Sequence, residues 1–378
     1  FIRHSAGLGK APTKSDPDIY DHQYSHCDVL VVGGGISGII SAKLSAEKGL
    51  DTFLIDDKNF LGGSTIYQEN EAYKINDIYS NEWLAKEIKS LKNYPNLIIK
   101  NRTSLAAFHG YNYLLARENL TDHLSISDRK NKIRQRLWKI RAKKVIIASG
   151  SIERPLIFSN NDRPGIILSS SIKKYIDYYG VKTGENISLF TNNDSAYETA
   201  ISLNKSGVKV NVIVDIRKNS ESLIVKEALD LGLKVLWEST VVETQGYKKI
   251  KSFEVMKLSD DGNNVIGNKT KHNCDCLGIS GGWTPMVHLF TQSGGKLKFR
   301  NEDNVFIPDQ DKTPPNQISV GSCNGEFKLD EIVTRTIENL KSFLDLSKTC
   351  YDEMKINCPD EKSKRNIWLL PSDKPIGK

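Results

Sequence analysis

The feature that most constrains this chain is a short apolar strand that runs directly into a glycine turn and then a helix. Residues 28–33 are almost entirely apolar and β-branched, which is typical of a buried parallel strand. The turn has the spacing Gly-x-Gly-x-x-Gly, and a helix is predicted over 39–48. Gly33 allows the tight turn, Gly35 lets a pyrophosphate approach the backbone, and Gly38 lets the helix pack close to the sheet.

A second predicted strand, 52–55, completes a βαβ unit and ends in two acidic residues. Asp56 is placed to accept hydrogen bonds from a ribose diol, and Asp57 is the less favoured partner. A carboxylate here repels a 2′-phosphate, which favours NAD or FAD over NADP. The helix N-terminus adds free N–H groups and the positive end of its dipole. The predicted cofactor-binding residues of this unit are Gly33, Gly35, Ile36, Ser37, Gly38, Asp56 and Asp57.

A second α/β unit follows, but its turn lacks the glycines that a nucleotide-binding turn needs. After the predicted strand 187–190, residues 191–197 read Thr-Asn-Asn-Asp-Ser-Ala-Tyr and contain no glycine. A pyrophosphate approaches such a turn with difficulty because every residue carries a Cβ, and Asp194 would add a repelling carboxylate. We interpret Asp194 or Ser195 as a helix N-cap and the second site as degenerate.

The alternation of strands and helices predicts the α/β fold class, with one dinucleotide-binding domain interrupted by a second α/β domain. The first is doubly wound and glutathione-reductase-like, and is predicted over 26–160 and 270–346. A smaller α/β domain is predicted over 161–269. Residues 1–25 are expected to form an N-terminal arm, and 347–378 a linker toward a missing C-terminal domain.

Charge, hydropathy and cysteine content exclude several classes of protein. The 53 Lys and Arg against 46 Asp and Glu give a net charge of +7, too mild over 378 residues to indicate a nucleic-acid partner. No apolar run approaches the ~20 residues of a membrane span. The six cysteines contain no Cys-x-x-Cys, so we expect a cytoplasmic chain without disulfides or a redox dithiol. No motif indicates a metal site or a catalytic residue.

The two ends of the sequence suggest part of a longer subunit. The chain opens on Phe1 instead of Met, and its last thirty or so residues have the composition of a linker. We expect either an internal segment of a longer subunit or a processed product.

Four sequence blocks, in order, resemble the two-dinucleotide-binding flavoprotein superfamily. They are the glycine turn and residues 61–63, 147–155 and 319–322. In the last block Ser322 stands where flavin-bearing members carry an acid near the ribityl and phosphate groups. The resemblance adds to the predicted cofactor-binding residues Gly63, Ser64, Gly150 and Gly321.

Most of the chain, from residue 1 to about 346, is also similar to the alpha subunits of heterotetrameric sarcosine oxidase. The glycine-less Asn-Asn-Asp-Ser turn is quite specific to that family. The matching stretches are 2–9, 26–35, 163–165, 191–197, 280–283 and 293–297.

This resemblance implies NAD in the first site, where relatives hold FAD. It also implies FAD and covalent FMN in or at a partner beta subunit, with gamma and delta subunits in the same assembly. Sarcosine would be oxidised to glycine with formation of peroxide. The one-carbon unit would pass to tetrahydrofolate in a C-terminal domain, and this chain alone would be inactive.

Two other hypotheses stay open at this point. The chain could be the FAD-bearing subunit of an amine or amino-acid dehydrogenase, in which the first site does redox work. It could instead be a scaffold in which the bound dinucleotide only stiffens the fold.

Overall fold

The computed structural model describes residues 5–7, 9, 11–67, 72–359 and 364–373. In chain order, the strands are β1 (Ile19–Val32), β2 (Thr52–Ile55), β3 (Lys74–Ile75), β4 (Ile78–Tyr79), β5 (Leu97–Lys100), β6 (Thr103–His109), β7 (Tyr113–Asn119), β8 (Ile133–Ile147), β9 (Ser151–Glu153), β10 (Ile166–Leu168), β11 (Ile187–Thr191), β12 (Val210–Asp215), β13 (Val235–Leu236), β14 (Ser239–Gln245), β15 (Ser252–Leu258), β16 (Val265–Asn273), β17 (Cys276–Ser280), β18 (Trp283–Pro285), β19 (Leu297–Arg300), β20 (Val305–Pro308), β21 (Gln317–Ser319) and β22 (Ile356–Asn357). The α-helices are α1 (Ile36–Glu47), α2 (Ser80–Ser90), α3 (Ile126–Arg129), α4 (Ser169–Asp177), α5 (Ser195–Lys205), α6 (Leu223–Asp230), α7 (His288–Gln292) and α8 (Leu329–Leu344).

Two sheets with parallel strands organise the chain, as the predicted α/β class requires. The first has the strand order β5-β2-β1-β8-β7-β6, and β21 pairs in parallel with the end of β8. The second has the order β10-β17-β11-β12-β13, all in parallel. In each sheet the strand directly before the turn is buried along its whole apolar length. The mixed α/β prediction is confirmed.

The core of the first unit lies on both faces of its sheet. Helices α1 and α8 cover one face, where Ile39 and Leu340 are fully buried. On the other face, Phe108, Leu114 and Ile140 from the β6-β7-β8 ribbon form a separate apolar cluster. The glycine turn therefore sits at the end of a strand that is covered on both sides.

The first strand is longer than the sequence predicted. β1 begins at Ile19, inside the predicted arm 1–25, and pairs with β8 from residue 133 onward. Its first half is mostly exposed and has no alternating apolar pattern. It is held by strand pairing and by ion pairs such as Arg136 Nε to Asp21 Oδ2 at 2.7 Å. Residues 1–4, 8 and 10 lie outside the described part of the chain.

The return from the second unit to the first also comes later than predicted. Residues from 270 onward were assigned to the first domain, but β17 lies in the second sheet between β10 and β11. Its five residues are all buried, and an apolar run of this kind fits either parallel sheet equally well. The exact domain boundaries stay a prediction.

The tail differs from the linker predicted over 347–378. β22 pairs with β3 of the first unit, and Leu370 is buried in the core of the second. Residues 360–363 and 374–378 lie outside the described part of the chain. Ile356 and Leu370 therefore anchor this polar segment to the two units.

Candidate functional site

The three glycines of the first turn serve two different purposes. Gly33 has φ +107°, and a Cβ on it would overlap the carbonyl oxygen of Ala148. A Cβ on Gly38 would overlap the carbonyl oxygen of Gly33. A Cβ on Gly35 would meet nothing closer than the Cα of Gly63, at 4.0 Å. Gly33 and Gly38 are thus required by the fold, whereas Gly35 keeps open a space that the fold does not fill.

That space is a cavity of about 840 Å³, large enough for a dinucleotide-sized ligand. Nine of the eleven predicted cofactor-binding residues line it, namely Gly33, Gly35, Ile36, Ser37, Asp56, Asp57, Gly63, Ser64 and Gly150.

The two remaining predicted residues, Gly38 and Gly321, lie behind the wall of the cavity. Gly38 lies in the first turn of helix α1, where it packs against the backbone of Gly33. Gly321 has φ +71°, and a Cβ there would overlap the side-chain oxygen of Ser37. Its neighbours Val320 and Ser322 line the cavity. Both glycines therefore act through packing in this structure.

The N-terminus of α1 opens onto the cavity. Gly35 is its N-cap and supplies no side-chain acceptor, and the first turn carries no acidic residue. Ile36 and Ser37 line the cavity at this helix end. The first backbone N–H groups of a helix have no intrahelical partner, so this arrangement suits a phosphate group.

Asp56 stands at the end of β2, where the sequence predicted a ribose acceptor. Its Oδ2 accepts a hydrogen bond from Gly34 N at 2.6 Å, and its Oδ1 accepts one from Lys58 N at 2.7 Å. Burial raises the pKa of this carboxyl group. A carboxylate offers about four acceptor positions, so capacity remains for a hydroxyl in the cavity. Asp57 is half-exposed and forms an ion pair with Lys58 at 2.7 Å.

The far part of the cavity lies between the two units, and sequence reasoning missed its residues. Glu153 is almost fully buried, and its Oε2 accepts a hydrogen bond from Ser170 N of α4 at 2.8 Å. Tyr73 donates from its hydroxyl to Glu198 Oε1 at 2.6 Å. Burial raises the pKa of both glutamates. These residues meet only when the two units pack, so no local sequence signal identifies them.

The corresponding turn of the second unit is filled by its own side chains. The guanidinium of Arg217 contacts Asp194 Oδ1 at 2.6 Å and Asp215 Oδ2 at 2.7 Å, with all three side chains buried. Asp194 occupies the N-cap position of α5 but makes no capping bond. Asn193 Oδ1 accepts from Ser195 N at 2.9 Å in its place. The predicted N-cap position is confirmed, and the capping side chain is Asn193.

Within the described residues, no cluster of His, Cys, Asp and Glu could hold a metal ion. The six cysteines are all free thiols. No helix in the described part of the chain is long and apolar enough to cross a membrane.

Comparison with known proteins places the chain in a family. A profile described as pyridine nucleotide-disulphide oxidoreductase matches residues 27–324. The chain belongs to this oxidoreductase family. The sequence contains no Cys-x-x-Cys motif.

The predicted resemblance to sarcosine oxidase alpha subunits is confirmed. The alpha subunit from Corynebacterium sp. (strain U-96) is 34% identical over 370 residues, covering 97% of this chain and 38% of that protein. The one from Rhizobium meliloti (strain 1021) is 32% identical over 313 residues, covering 81% of this chain and 29% of that protein. The chain thus spans roughly a third of the length of these relatives.

Solved structures share the fold at low sequence identity. Thioredoxin reductase from T. acidophilum matches with a TM-score of 0.62 and 18% identity, over 85% of this chain and 97% of that one. L-proline dehydrogenase from P. horikoshii matches with a TM-score of 0.58 and 20% identity, over 84% of this chain and 54% of that one.

Proposed function

We propose that this chain is the NAD-binding portion of the alpha subunit of a multisubunit sarcosine oxidase. One observation carries the proposal: relatives described as sarcosine oxidase alpha subunits are 34% identical over 97% of the chain. The oxidoreductase family match and the open cavity at the glycine turn support it.

The residues at the cavity fit a dinucleotide. Gly35 would leave the backbone accessible to the pyrophosphate, whose charge would lie at the N-terminus of α1. Asp56 would accept from the adenosine ribose, and its carboxylate would exclude a 2′-phosphate. We assign Asp57, Gly63, Ser64 and Gly150 to the walls of the same site.

The second half of the dinucleotide would extend toward the part of the cavity that the second unit supplies. Ser322, in place of an acid, supports NAD over FAD in this position. When bound, NAD supplies a nicotinamide ring that can accept a hydride, and our proposal gives it no step in sarcosine oxidation. The chain's own contribution is to bind and orient the dinucleotide.

Flavin chemistry belongs to the partner in this proposal. FAD and covalent FMN would reside in or at the beta subunit, with gamma and delta subunits completing the assembly. Sarcosine would be oxidised there to glycine, and oxygen would be reduced to hydrogen peroxide. The one-carbon unit would pass to tetrahydrofolate in another domain of the alpha subunit.

In this proposal the complete assembly oxidises sarcosine and the isolated chain does not, which an assay of sarcosine-dependent peroxide tests. We expect no sarcosine-dependent peroxide from the isolated chain, and peroxide from the complete assembly purified from the same source. Sarcosine turnover by the isolated chain would contradict the proposal, as would an assembly that contains this chain and leaves sarcosine unoxidised.

A further inference from the structure

The crevice at the carboxyl end of the second sheet is occupied by the chain itself. In open α/β sheets, ligands bind outside the carboxyl ends of the strands, where the strand order reverses. In this sheet that point lies between β11 and β17, because β12 follows on one side of β11 and β17 lies on the other. Residues 364–370, which we call the strap, cross the sheet edge there.

Asn192 of the glycine-less turn holds the backbone of the strap. The side-chain amide of Asn192 donates to the carbonyl oxygens of Arg365 at 3.1 Å and Ile367 at 3.3 Å. In return, Arg365 N donates to Asn192 O at 3.3 Å. The buried Asn192 thus binds two carbonyl groups and one N–H group of the strap backbone.

Two side chains anchor the strap to neighbouring strand ends. Arg365 donates to the carbonyl oxygen of Ile216, directly after β12, at 2.7 Å. Trp368 donates from its indole nitrogen to Gly281 O, directly after β17, at 2.5 Å. The guanidinium of Arg154 lies over the indole ring at 3.8 Å from its centroid, a cation–π contact. A Cβ on Gly281 would lie 2.9 Å from Trp368 Cδ1, so glycine makes room for the indole.

The end of the strap is fixed to the core of the second unit. Ile157 N donates to Trp368 O at 2.7 Å, and Leu370 N donates to Ile157 O at 2.9 Å. The side chain of Leu370 is 2% exposed within the apolar cluster under this sheet. The strap therefore makes specific backbone and side-chain contacts along its length.

The same crevice is closed to a pyrophosphate by charge and by shape. The side-chain amide of Asn193 bridges to Ser280 O at 3.2 Å and thereby joins the ends of β11 and β17. Asp194 places a buried carboxylate at the N-terminus of α5, and Arg217 is already engaged by Asp194 and Asp215. The charge of Arg217 is therefore balanced by two carboxylates.

We propose that the nucleotide crevice of the second unit is a peptide-docking site whose resident ligand is the chain's own strap. The second unit anchors this segment, and with it whatever the segment carries, and binds no pyridine nucleotide. The inference does not depend on which dinucleotide fills the first site.

Hydrogen exchange on the full chain tests this docking. In the native protein the amides of Arg365, Ile367 and Leu370 should be protected. Asn192→Ala removes both side-chain hydrogen bonds to the strap, together with the one that Asn192 Oδ1 accepts from Asn193. It should speed exchange of these amides by about tenfold or more. Trp368→Ala changes a partly exposed position and should also speed exchange of the strap amides. It serves as the second variant if Asn192→Ala does not fold. Leu369→Ala is the matched control within the strap, because that side chain is 57% exposed. Unprotected strap amides in the native protein would overturn the proposal.

A titration with NADH distinguishes a strap that is permanently docked from a strap that opens to admit a nucleotide. Millimolar NADH should leave strap protection unchanged in the native protein and in both strap-releasing variants. It should add no second bound nucleotide per chain. Strap amides that lose protection on addition of NADH would overturn the proposal, as would a second NADH bound by Asn192→Ala or Trp368→Ala. Either result would make the strap a gate over a working nucleotide site.

Discussion

The carboxylate of Asp56 accepts a hydrogen bond from the backbone N–H of Gly34 at 2.6 Å. This contact ties the end of β2 to the glycine turn, so the proposed ribose acceptor and the proposed phosphate site are held in one arrangement. Asp56 also lines the cavity, and a carboxylate that accepts two hydrogen bonds has capacity for more.

Replacing Asp56 should weaken dinucleotide binding without abolishing it. Asp56→Ala removes the ribose acceptor and leaves the phosphate approach open, so we expect a loss of about tenfold in affinity. Isothermal titration with NAD measures the effect. Asp51→Ala is the control, because this exposed residue precedes β2 at the end away from the cavity, and it should leave affinity unchanged. Equal losses in the two variants would mean that Asp56 does not contact the ribose.

A side chain at Gly35 should abolish binding and leave the fold intact. Gly35 has φ −73° and open space at its Cβ position, so Gly35→Val should fold and project into the cavity. Nucleotide content after purification and thermal unfolding are the two measurements. Gly110→Val is a matched control, because a Cβ there meets nothing within 4 Å and Gly110 lies away from the cavity. Full nucleotide occupancy in Gly35→Val would show that the site is misplaced.

The buried carboxyl group of Glu153 should make stability depend on pH. Burial raises its pKa in the folded chain above the usual 4.5, so the folded state holds this proton more tightly than the unfolded state. Its stabilising contribution is present at low pH and is lost as pH rises through the raised pKa.

Glu153→Gln keeps an acceptor for Ser170 N and removes the charge. The variant should have a free energy of unfolding close to that of the wild type near pH 4.5 and a larger one than the wild type near pH 7.5. Denaturant titrations across this range measure the difference. A variant that is less stable than the wild type at the higher pH would contradict the assignment.

The buried ion cluster of the second unit should be sensitive to loss of its cation. Arg217→Ala leaves Asp194 and Asp215 buried without their partner, and we expect a loss of about 3–5 kcal/mol in the free energy of unfolding. Lys218→Ala, at an exposed neighbouring position, should cost far less. Similar losses in the two variants would show that the cluster contributes little.

Local sequence patterns predicted the first βαβ unit because all its parts are adjacent in the chain. The apolar strand, the glycine spacing and the acid after β2 each follow from short-range rules, and nine predicted residues line one cavity. Gly38 was expected to pack the helix close to the sheet, and Gly321 was added by the family resemblance. Neither glycine lines the cavity, and both act through packing.

Long-range pairing explains what the sequence did not reveal. The exposed half of β1 has no apolar pattern and is defined only by its pairing with β8. Glu153 and Glu198 reach the cavity from separate elements. The strap has the composition of a linker, and its role depends on where Asn192 and Gly281 present their polar groups.

The central claim is that the first site of this chain holds NAD while flavin chemistry takes place elsewhere. Denaturing the purified chain and identifying the released nucleotide by absorbance and mass tests it most directly. We predict NAD, at one per chain, without flavin. Release of FAD would contradict the account and would mean that this site itself does redox work.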